Sequence, residues 1–539
     1  MVALGLGDRA DPVHEGQGTR EVVEAEQLAQ VVVFDRFPAV QLGQQIRDLL
    51  GGHGRNTAST GDAVLGDELF GHGLSSMAPI TLPMRSERTP AGLALAALIG
   101  VAAVKLALAT HWDLLADEAY YAIWSMHPAW GYYDQPPLIA WILWLSRQIL
   151  GDTDLAIRLP AIVCGVIAPL VLLDAVGDRA LWLGWWVGIP VLAWLTGFAT
   201  PDALLLLAWA AAIAAAHRGG RAWLLAGVAV AIGIYAKYTA AVLLPLLWIG
   251  TGDWRSRWMW AGSALTGLLL LPHAAWLASH ELVSVGFQLR EGLWNPNPPG
   301  WTGPFAVFGQ QLGVATPFAV LALGGALWAR PLTRIDRLAW WTTAPVALIF
   351  LLASIGGPPE AHWLAPVWVS GGVLISHRRG WIARSAWVAV GTGFFASLLL
   401  VLHTEYGVFP LRSDPADRIR EGRPLAYAVG SWALPLGVAP REPRATESIP
   451  VRTERYQEAA LIAWYTGIPA VAQPECARPD QYDLWPSSSP DALLFVRPAR
   501  SGDTLCTDSA YPDKTRHPLA PRDNQGRTVG RWDLFEVRR

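Results

Sequence analysis

The stretch LLADEAYYAIWSMHPAWGYYDQPPLIAW, residues 114–141, decides the fold class because it interrupts a long apolar sequence with charges and then returns to one. Two adjacent carboxylates, Asp117 and Glu118, follow closely on the apolar segment 91–109. A Tyr-Tyr-Asp-Gln-Pro-Pro turn and the Trp-rich segment 136–150 come next. A charge close to a bilayer is costly and commonly faces a working cavity, so the acidic pair needs an explanation.

The composition is that of a membrane protein. Of 539 residues, 52% are hydrophobic and 16% are charged, whereas about a quarter are charged in soluble domains. The 29 tryptophans agree, since this residue concentrates where bilayer and water meet. The net charge of -3 gives no indication of a nucleic-acid partner, and the three cysteines show no zinc or redox spacing. The sequence therefore predicts an all-α polytopic membrane protein.

Eleven apolar segments approach the length of a bilayer crossing. They lie at 91–109, 158–176, 180–197, 201–216, 222–236, 238–250, 258–278, 303–328, 338–354, 361–376 and 381–402. Basic residues cluster at Arg85/Arg88, Arg179, Arg218/Arg221, Arg255/Arg257, Arg330/Arg334/Arg337 and Arg378/Arg379/Arg384. Positive loops stay cytoplasmic, and these clusters alternate correctly if the segment 136–150 does not cross. We predict about eleven transmembrane helices, with 136–150 as an interfacial or re-entrant helix.

Three regions differ in composition. Residues 1–83 are polar and Gly-rich, and Met84 begins a short basic lead before the first span, so we expect 1–83 to be a disordered extension or to precede the true start. Residues 84–403 form the transmembrane domain. Residues 404–539 are rich in Pro, Arg and Asp, and are expected to form a small soluble α/β domain on the outer face.

The polar residues of the outer loops combine acids with aromatic rings. Tyr132, Tyr133 and Asp134 lie in the same loop as Asp117. Aromatic rings cover the apolar faces of sugars, and carboxylates accept hydrogen bonds from their hydroxyl groups. The same residues could instead form an interfacial aromatic belt, with a solvated carboxylate that caps a short helix.

Several motifs, in order along the chain, resemble a known family. ADEAYYAIWS…GYYDQPPLIAW, then TPDALLLLAW, then GIYAKYT are similar to the polyprenyl-phosphate-dependent membrane glycosyltransferases of the GT-C class. The nearest branch contains the bacterial lipid A aminoarabinose transferases and the protein mannosyltransferase-like enzymes. The resemblance covers about 90–403 and continues weakly into RYQEAALIAWYTG and QYDLWP. It implies a bacterial inner-membrane enzyme whose C-terminal domain is periplasmic.

The resemblance implies catalytic roles for three carboxylates. Asp117 matches the catalytic Asp of the first outer loop, with Glu118 beside it, and Asp202 matches an acid of a second outer loop. A positioned carboxylate can take the proton of an acceptor hydroxyl. The leaving lipid phosphate needs cations, for which Lys237 and Arg290 are the candidates. Lys237 could instead extend to the headgroups, and Arg290 could be a surface charge.

Two further residues are assigned to substrate binding. Aminoarabinose transferases typically have a lysine before the Pro-Pro pair, where this chain has Gln135. A neutral amide hydrogen-bonds but does not neutralise a phosphate, so the identity of the sugar does not follow from the resemblance. His362, in GGPPEAHWLAPVW, is expected at the outer face, where its other interpretation is a hydrogen bond at a helix start.

Cysteines and cofactors complete the expectations. Cys476 and Cys506 both fall in the outer domain, where oxidation is permitted, whereas Cys164 lies in a span. We therefore predict a Cys476–Cys506 disulfide. The sequence dictates no cofactor; a divalent cation, Mg²⁺ or Mn²⁺, stays open because the family varies in this respect.

The predicted function is transfer of a sugar from a polyprenyl-phosphate carrier to a lipid, glycan or protein acceptor on the periplasmic face. One alternative is a polysaccharide polymerase or ligase with an undecaprenyl-diphosphate donor. The other is a transporter or flippase of lipid-linked sugars. A transporter places ionisable residues near the middle of the bilayer, in broken helices, whereas here they lie at the outer rim. This distribution favours the enzyme.

Overall fold

The apolar segments fold as helices because a helix satisfies all its backbone polar groups within one segment, as lipid requires. The computed structural model describes residues 88–538 except for short gaps at 294–299, 301, 332, 358–359, 412–413, 435–447, 474–475, 477, 486–489, 491, 501, 508 and 524. The expectation for residues 1–83 lies outside the described residues.

Nineteen α-helices are present in the described part of the chain. They are α1 (Arg88–His111), α2 (Ala116–Trp124), α3 (Leu138–Leu150), α4 (Asp154–Val171), α5 (Arg179–Gly188), α6 (Pro190–Leu195), α7 (Pro201–Arg218), α8 (Trp223–Ala236), α9 (Leu243–Thr251), α10 (Arg257–Ser279), α11 (Val283–Phe287), α12 (Thr302–Val314), α13 (Pro317–Trp328), α14 (Arg334–Ala353), α15 (Ala365–Ser376), α16 (Trp381–Tyr406), α17 (Gly422–Ala433), α18 (Tyr456–Thr466) and α19 (Gln481–Leu484). Short 3₁₀ turns at Gly220–Ala222, Tyr238–Val242, Ala361–Leu364 and Pro415–Ile419, and a π-helical turn at Gln288–Leu293, extend or join them.

The described helices that are long and apolar enough to cross a membrane alone are α1, α4, α10, α14 and α16. The other predicted crossings are helical but shorter or broken. The predicted span 303–328 is not one helix, because the chain bends by 113° between α12 and α13. Thr316 adopts a positive φ of 82° at the break, and Pro317 begins the second helix, where its missing N–H costs nothing.

Two basic residues, Arg334 and Arg378, lie at the end of the bundle where α7 ends. Arg334 pairs with Asp253 at 2.5 Å and Arg378 with Asp336 at 3.6 Å. Lys237, at the turn between α8 and α9, lies at the opposite end and contacts Asp202. Helix α8 has 14 residues and is therefore about 21 Å long, shorter than the about 30 Å of bilayer hydrocarbon. Because α8 is this short, the turn between α8 and α9 holds the Lys237 ammonium deeper in the bilayer than the polar end of the bundle.

Helices α8 and α10 approach closely enough for their backbones to touch. A Cβ atom on Gly227 would lie 2.0 Å from the Gly262 carbonyl oxygen, and one on Gly262 would lie 2.1 Å from the Trp223 carbonyl oxygen. The Thr266 hydroxyl donates to the Gly227 carbonyl across the same contact, at 2.9 Å. Small residues permit this approach in membrane helices, where tight packing replaces the hydrophobic effect.

The C-terminal segment forms a five-stranded mixed sheet with helices, the α/β domain predicted from composition. Its strands are β1 (Val451–Thr453), β2 (Ala470–Ala472), β3 (Ala492–Pro498), β4 (Asp513–Leu519) and β5 (Trp532–Arg538). They are ordered β2-β1-β3-β5-β4, with β1 parallel to β2 and β3, and β5 antiparallel to β3 and β4. Cys476 and Cys506 form the disulfide expected from the sequence, with Cα atoms 5.3 Å apart.

The Gly227–Gly262 contact generates a stability prediction. Gly262→Val should lower the melting temperature of the purified protein, because the new side chain must push α8 away from α10. Gly267→Val is the matched control, since Gly267 lies on the same helix with no heavy atom within 4 Å of its Cβ position. The measurement is thermal unfolding in detergent, and equal shifts for both variants would refute a specific contact at Gly262.

Candidate active site

Helix α2 directs its two adjacent carboxylates to different surroundings. Residues next to each other on a helix do not share a face, so Asp117 and Glu118 diverge. Glu118 closes the helix start, because its Oε2 accepts the Leu115 backbone N–H at 2.9 Å. Glu118 is completely buried, whereas Asp117 stays accessible.

The buried carboxylate pairs with an arginine of α4. Arg158 Nη2 lies 2.6 Å from Glu118 Oε2, and its Nε lies 3.0 Å from Oε1. The guanidinium also donates to the carbonyls of Trp112 and Asp113, and Glu118 Oε1 accepts the Ala199 N–H at 2.7 Å. Glu118, expected beside the catalytic carboxylate, therefore lies inside the fold with both oxygens hydrogen-bonded.

Asp117 contacts the C-terminal domain. Its Oδ1 accepts a hydrogen bond of 2.9 Å from the Tyr456 hydroxyl at the start of α18. Close surrounding by protein raises the pKa of Asp117, the Tyr456 hydrogen bond opposes this rise, and the Glu360 charge adds to it. An accessible carboxylate with a raised pKa is the expected form of a general base.

A second carboxylate, Asp202, lies at the start of α7 and is almost fully buried. Its Oδ1 accepts a 2.8 Å hydrogen bond from Lys237 Nζ, and its Oδ2 lies 3.5 Å from His362 Nε2. His362 Nδ1 lies 3.3 Å from Glu360, and the Lys237 ammonium lies 5.6 Å from the centre of the Trp363 ring. The structure thus joins three residues that the sequence suggested only separately.

A third carboxylate, Asp134, binds groups from both parts of the chain. Its Oδ2 accepts from the Tyr120 hydroxyl at 2.8 Å, and its Oδ1 accepts from Arg478 Nη1 at 3.0 Å. The Arg478 guanidinium lies 4.6 Å from the centre of the Phe287 ring and 5.4 Å from that of Tyr456. The C-terminal domain therefore supplies both an arginine and a tyrosine to this region.

The two loop tyrosines are less available than expected. Tyr132 is buried and stacks on Trp124 at 4.3 Å, with its hydroxyl bound to backbone groups including the His127 carbonyl. Tyr133 packs edge-on against Phe287 at 5.6 Å, and its backbone N–H donates to Gln481 at 2.7 Å. Both tyrosines hold the loop in place.

Gln135 and Arg290 lie on either side of this loop. The Gln135 side-chain oxygen is buried, and the described part of the chain offers it no hydrogen-bond partner. Arg290 is exposed in the π-helical turn. Partial burial raises the pKa of Tyr133, and the positive charge of Arg290 opposes this rise. In the same turn, Gln288 donates to the Asp134 carbonyl at 2.7 Å.

Comparison with known proteins relates this arrangement to transferases. Residues 134–276 match the family described as dolichyl-phosphate-mannose-protein mannosyltransferase. The lipid A galacturonosyltransferase RgtD of Rhizobium johnstonii is 26% identical over 325 residues, which covers 55% of this chain and 67% of the relative. Crystal structures of ArnT from Cupriavidus metallidurans, apo and bound to undecaprenyl phosphate, share the fold at 15% identity. Their TM-scores are 0.56 and 0.55, covering 83% and 82% of this chain and 98% and 97% of theirs.

The chain is a membrane glycosyltransferase with a fold of the GT-C type.

The glycosyltransferase shows no group of three or more His, Cys, Asp or Glu residues placed to hold a metal ion, within the ranges that the structure describes. Asp202 is paired with Lys237, and His362 lies between Asp202 and Glu360.

Three residues of the glycosyltransferase site were missed by sequence reasoning. Arg158 had a usable signal, because a charge within an apolar helix usually has a buried partner. Tyr456 and Arg478 had none, because hydrophobic patterns carry no information on contacts between residues more than three hundred positions apart. Tyr456 is the second residue of the RYQEAALIAWYTG motif that resembles related enzymes.

The Tyr456 contact predicts a change in pH dependence. The Tyr456 hydroxyl favours the ionised form of Asp117, so Tyr456→Phe should raise the pKa of Asp117 further. Because a base must be ionised to act, the acid limb of the rate profile should move to higher pH, with little change on the alkaline side. The measurement is the initial rate of sugar transfer against pH. An unshifted limb with a uniformly lower rate would indicate that Tyr456 only supports the fold.

The Asp202–Lys237 pair predicts a separation of stability from activity. Lys237→Met leaves Asp202 buried without its cation and should cost about 3–5 kcal/mol of stability. Adding Asp202→Asn should recover most of that loss. If Lys237 also binds substrate phosphate, the double variant will be stable but inactive. Recovery of activity together with stability would show that the pair is only structural.

Proposed function

We propose that this glycosyltransferase moves a sugar from a polyprenyl-phosphate donor to a hydroxyl group of a lipid acceptor at the periplasmic face of a bacterial inner membrane. The observation that carries the proposal is the accessible Asp117 carboxylate, placed between the membrane helices and the C-terminal domain with Arg478 and His362 nearby. The relatives support it, since one is a lipid A galacturonosyltransferase and ArnT is a protein solved with undecaprenyl phosphate.

Asp117 acts as the general base in this proposal. As the acceptor oxygen attacks the anomeric carbon, its proton passes to the carboxylate and the bond from that carbon to the phosphate oxygen breaks. Attack from the side opposite the phosphate gives inversion. Close surrounding by protein raises the pKa of Asp117 and so makes the carboxylate a better proton acceptor. The released polyprenyl phosphate carries one more negative charge than the donor.

The cations of the site stabilise that additional charge. Lys237 supplies a point charge, and Arg478 and Arg290 supply guanidinium groups that can bind two phosphate oxygens at once. Gln135 has a buried oxygen that can accept a hydrogen bond from a sugar hydroxyl. Because Gln135 is neutral, it does not neutralise the donor phosphate, and in this proposal Lys237, Arg478 and Arg290 do so.

The periplasmic assignment rests on charge distribution. Arg334 and Arg378 lie at the end of the bundle opposite Asp117, and basic residues favour the cytoplasmic side. The residues of the site come from loops that the charge rule assigns to the outer face. The C-terminal domain contacts this end through Tyr456 and Arg478.

The test uses the full-length protein in liposomes with polyprenyl-phosphate donors carrying a neutral hexose, a uronic acid or an amino sugar, and lipid A as acceptor. Release of polyprenyl phosphate and labelling of lipid A should appear together for one donor. Asp117→Asn should lower the rate by about 10²–10⁴-fold, the range for general-base catalysis.

Asp174→Asn is the matched control, because Asp174 is an exposed carboxylate that pairs with Arg179 and Arg218. An Asp117→Asn variant that keeps its rate would contradict the assignment of the base. If no donor releases polyprenyl phosphate and the lipid-linked sugar crosses the bilayer instead, the result would favour the alternative function of a transporter.

A further inference from the structure

An apolar groove lies between the first and last membrane helices, α1 and α16. Its volume is about 400 Å³, within the range of ligand sites. The walls include Val101, Leu108, Trp112, Trp194, Phe394 and Leu398. Both helices are apolar enough to span the membrane, so hydrocarbon is the surrounding solvent of the groove.

One lysine interrupts this apolar lining. Lys105 Nζ donates to the Thr196 hydroxyl at 2.7 Å, and that hydroxyl donates to the Leu192 carbonyl. Among the described residues, no carboxylate forms a salt bridge with Lys105. An ammonium group has three protons to donate and needs a counter-charge within a membrane. The groove therefore favours an occupant that carries an anionic group.

Two polar cavities lie near the groove at the outer end of α1. Trp112 lines the groove and also a cavity of about 110 Å³ that contains Arg420 and Arg527. Arg423 connects that cavity to a third one, of about 340 Å³, whose lining includes Tyr465. These cavities combine arginines and a tyrosine with carboxylates such as Asp113, Asp154 and Asp523. An apolar groove beside cavities that offer both donors and acceptors of hydrogen bonds fits a lipid whose head group is a saccharide.

The groove shares a lining residue with the ion pair that holds helix α2. Arg158 lines it and also holds Glu118, the residue beside Asp117. Arg158 also donates to the carbonyl of Trp112, at the groove's upper end, and to that of Asp113. A molecule in the groove therefore contacts the support of the proposed base.

We infer that the groove binds an acyl chain of the lipid acceptor, with a phosphate of the acceptor at Lys105 and its saccharide in the polar cavities. The inference rests on the proposed function and adds the location of the acceptor. The donor phosphate has its own cations, Lys237 and Arg478, on the other side of α2's buried carboxylate. The two substrates would thus approach Asp117 from separate sites.

The test measures binding of lipid A and of undecaprenyl phosphate to the full-length protein by native mass spectrometry, and the KM for lipid A in the transfer assay. Lys105→Met should weaken lipid A binding by about tenfold or more, the worth of a charge-assisted hydrogen bond, while Lys105→Arg should retain it. Leu398→Trp, which fills the groove, should raise the KM for lipid A. Leu268→Trp is the matched control, since Leu268 is an exposed apolar residue of α10 that does not line the groove.

Binding of undecaprenyl phosphate should be unchanged in all four variants. Unchanged lipid A binding in both Lys105→Met and Leu398→Trp would overturn the inference. Binding of phosphatidylglycerol is measured in the same way. If the variants lose phosphatidylglycerol binding and lipid A binding equally, the inference is also overturned, because the groove would then bind ordinary bilayer lipid. Failure of the proposed function would look different, as a wild-type protein that releases no polyprenyl phosphate from any donor.

Discussion

The buried ion pair between Glu118 and Arg158 is the interaction on which the site depends. It joins α2 to α4, holds the carbonyls of Trp112 and Asp113, and fixes the loop at Ala199. A buried pair of this kind gives little net stability compared with apolar packing, but loss of one partner is costly. What the pair provides is orientation. Because Glu118 is fixed inward, its neighbour Asp117 is turned toward the accessible side, where a base can meet a substrate.

The second requirement is the C-terminal domain, which closes the site from the other direction. Its Tyr456 hydrogen-bonds to Asp117, and its Arg478 pairs with Asp134. The domain also binds to the start of α2, since the Leu114 N–H donates to the Tyr465 hydroxyl at 2.7 Å. The C-terminal domain therefore contributes side chains to the candidate site, and the loop 114–141 is the surface on which both halves of the chain meet.

Sequence reasoning located the helices because hydropathy follows directly from lipid burial, and it located the disulfide because only two cysteines share a compartment. It treated 303–328 as one span, since apolar composition does not register the break before Pro317. It also placed both Asp117 and Glu118 at the substrate, Asp117 as the base and Glu118 to position the acceptor or an ion. Helical periodicity separates them only after the inward face is known, and that face is defined by Arg158, forty positions away. Tyr456 and Arg478 depend on tertiary contacts that no local pattern encodes.

Two of the cations assigned to the donor phosphate are accompanied by a carboxylate: Lys237 by Asp202, and Arg478 by Asp134. This pairing permits charged groups close to a bilayer, where an isolated charge would be costly. In the proposed reaction it has a further consequence. The donor carries a phosphodiester with one negative charge, and the leaving polyprenyl phosphate acquires a second. Cations that are partly neutralised at rest attract the donor only moderately, and their attraction grows as the charge develops. Interactions that strengthen toward the transition state are those that accelerate a reaction, so the paired cations suit transfer better than tight donor binding.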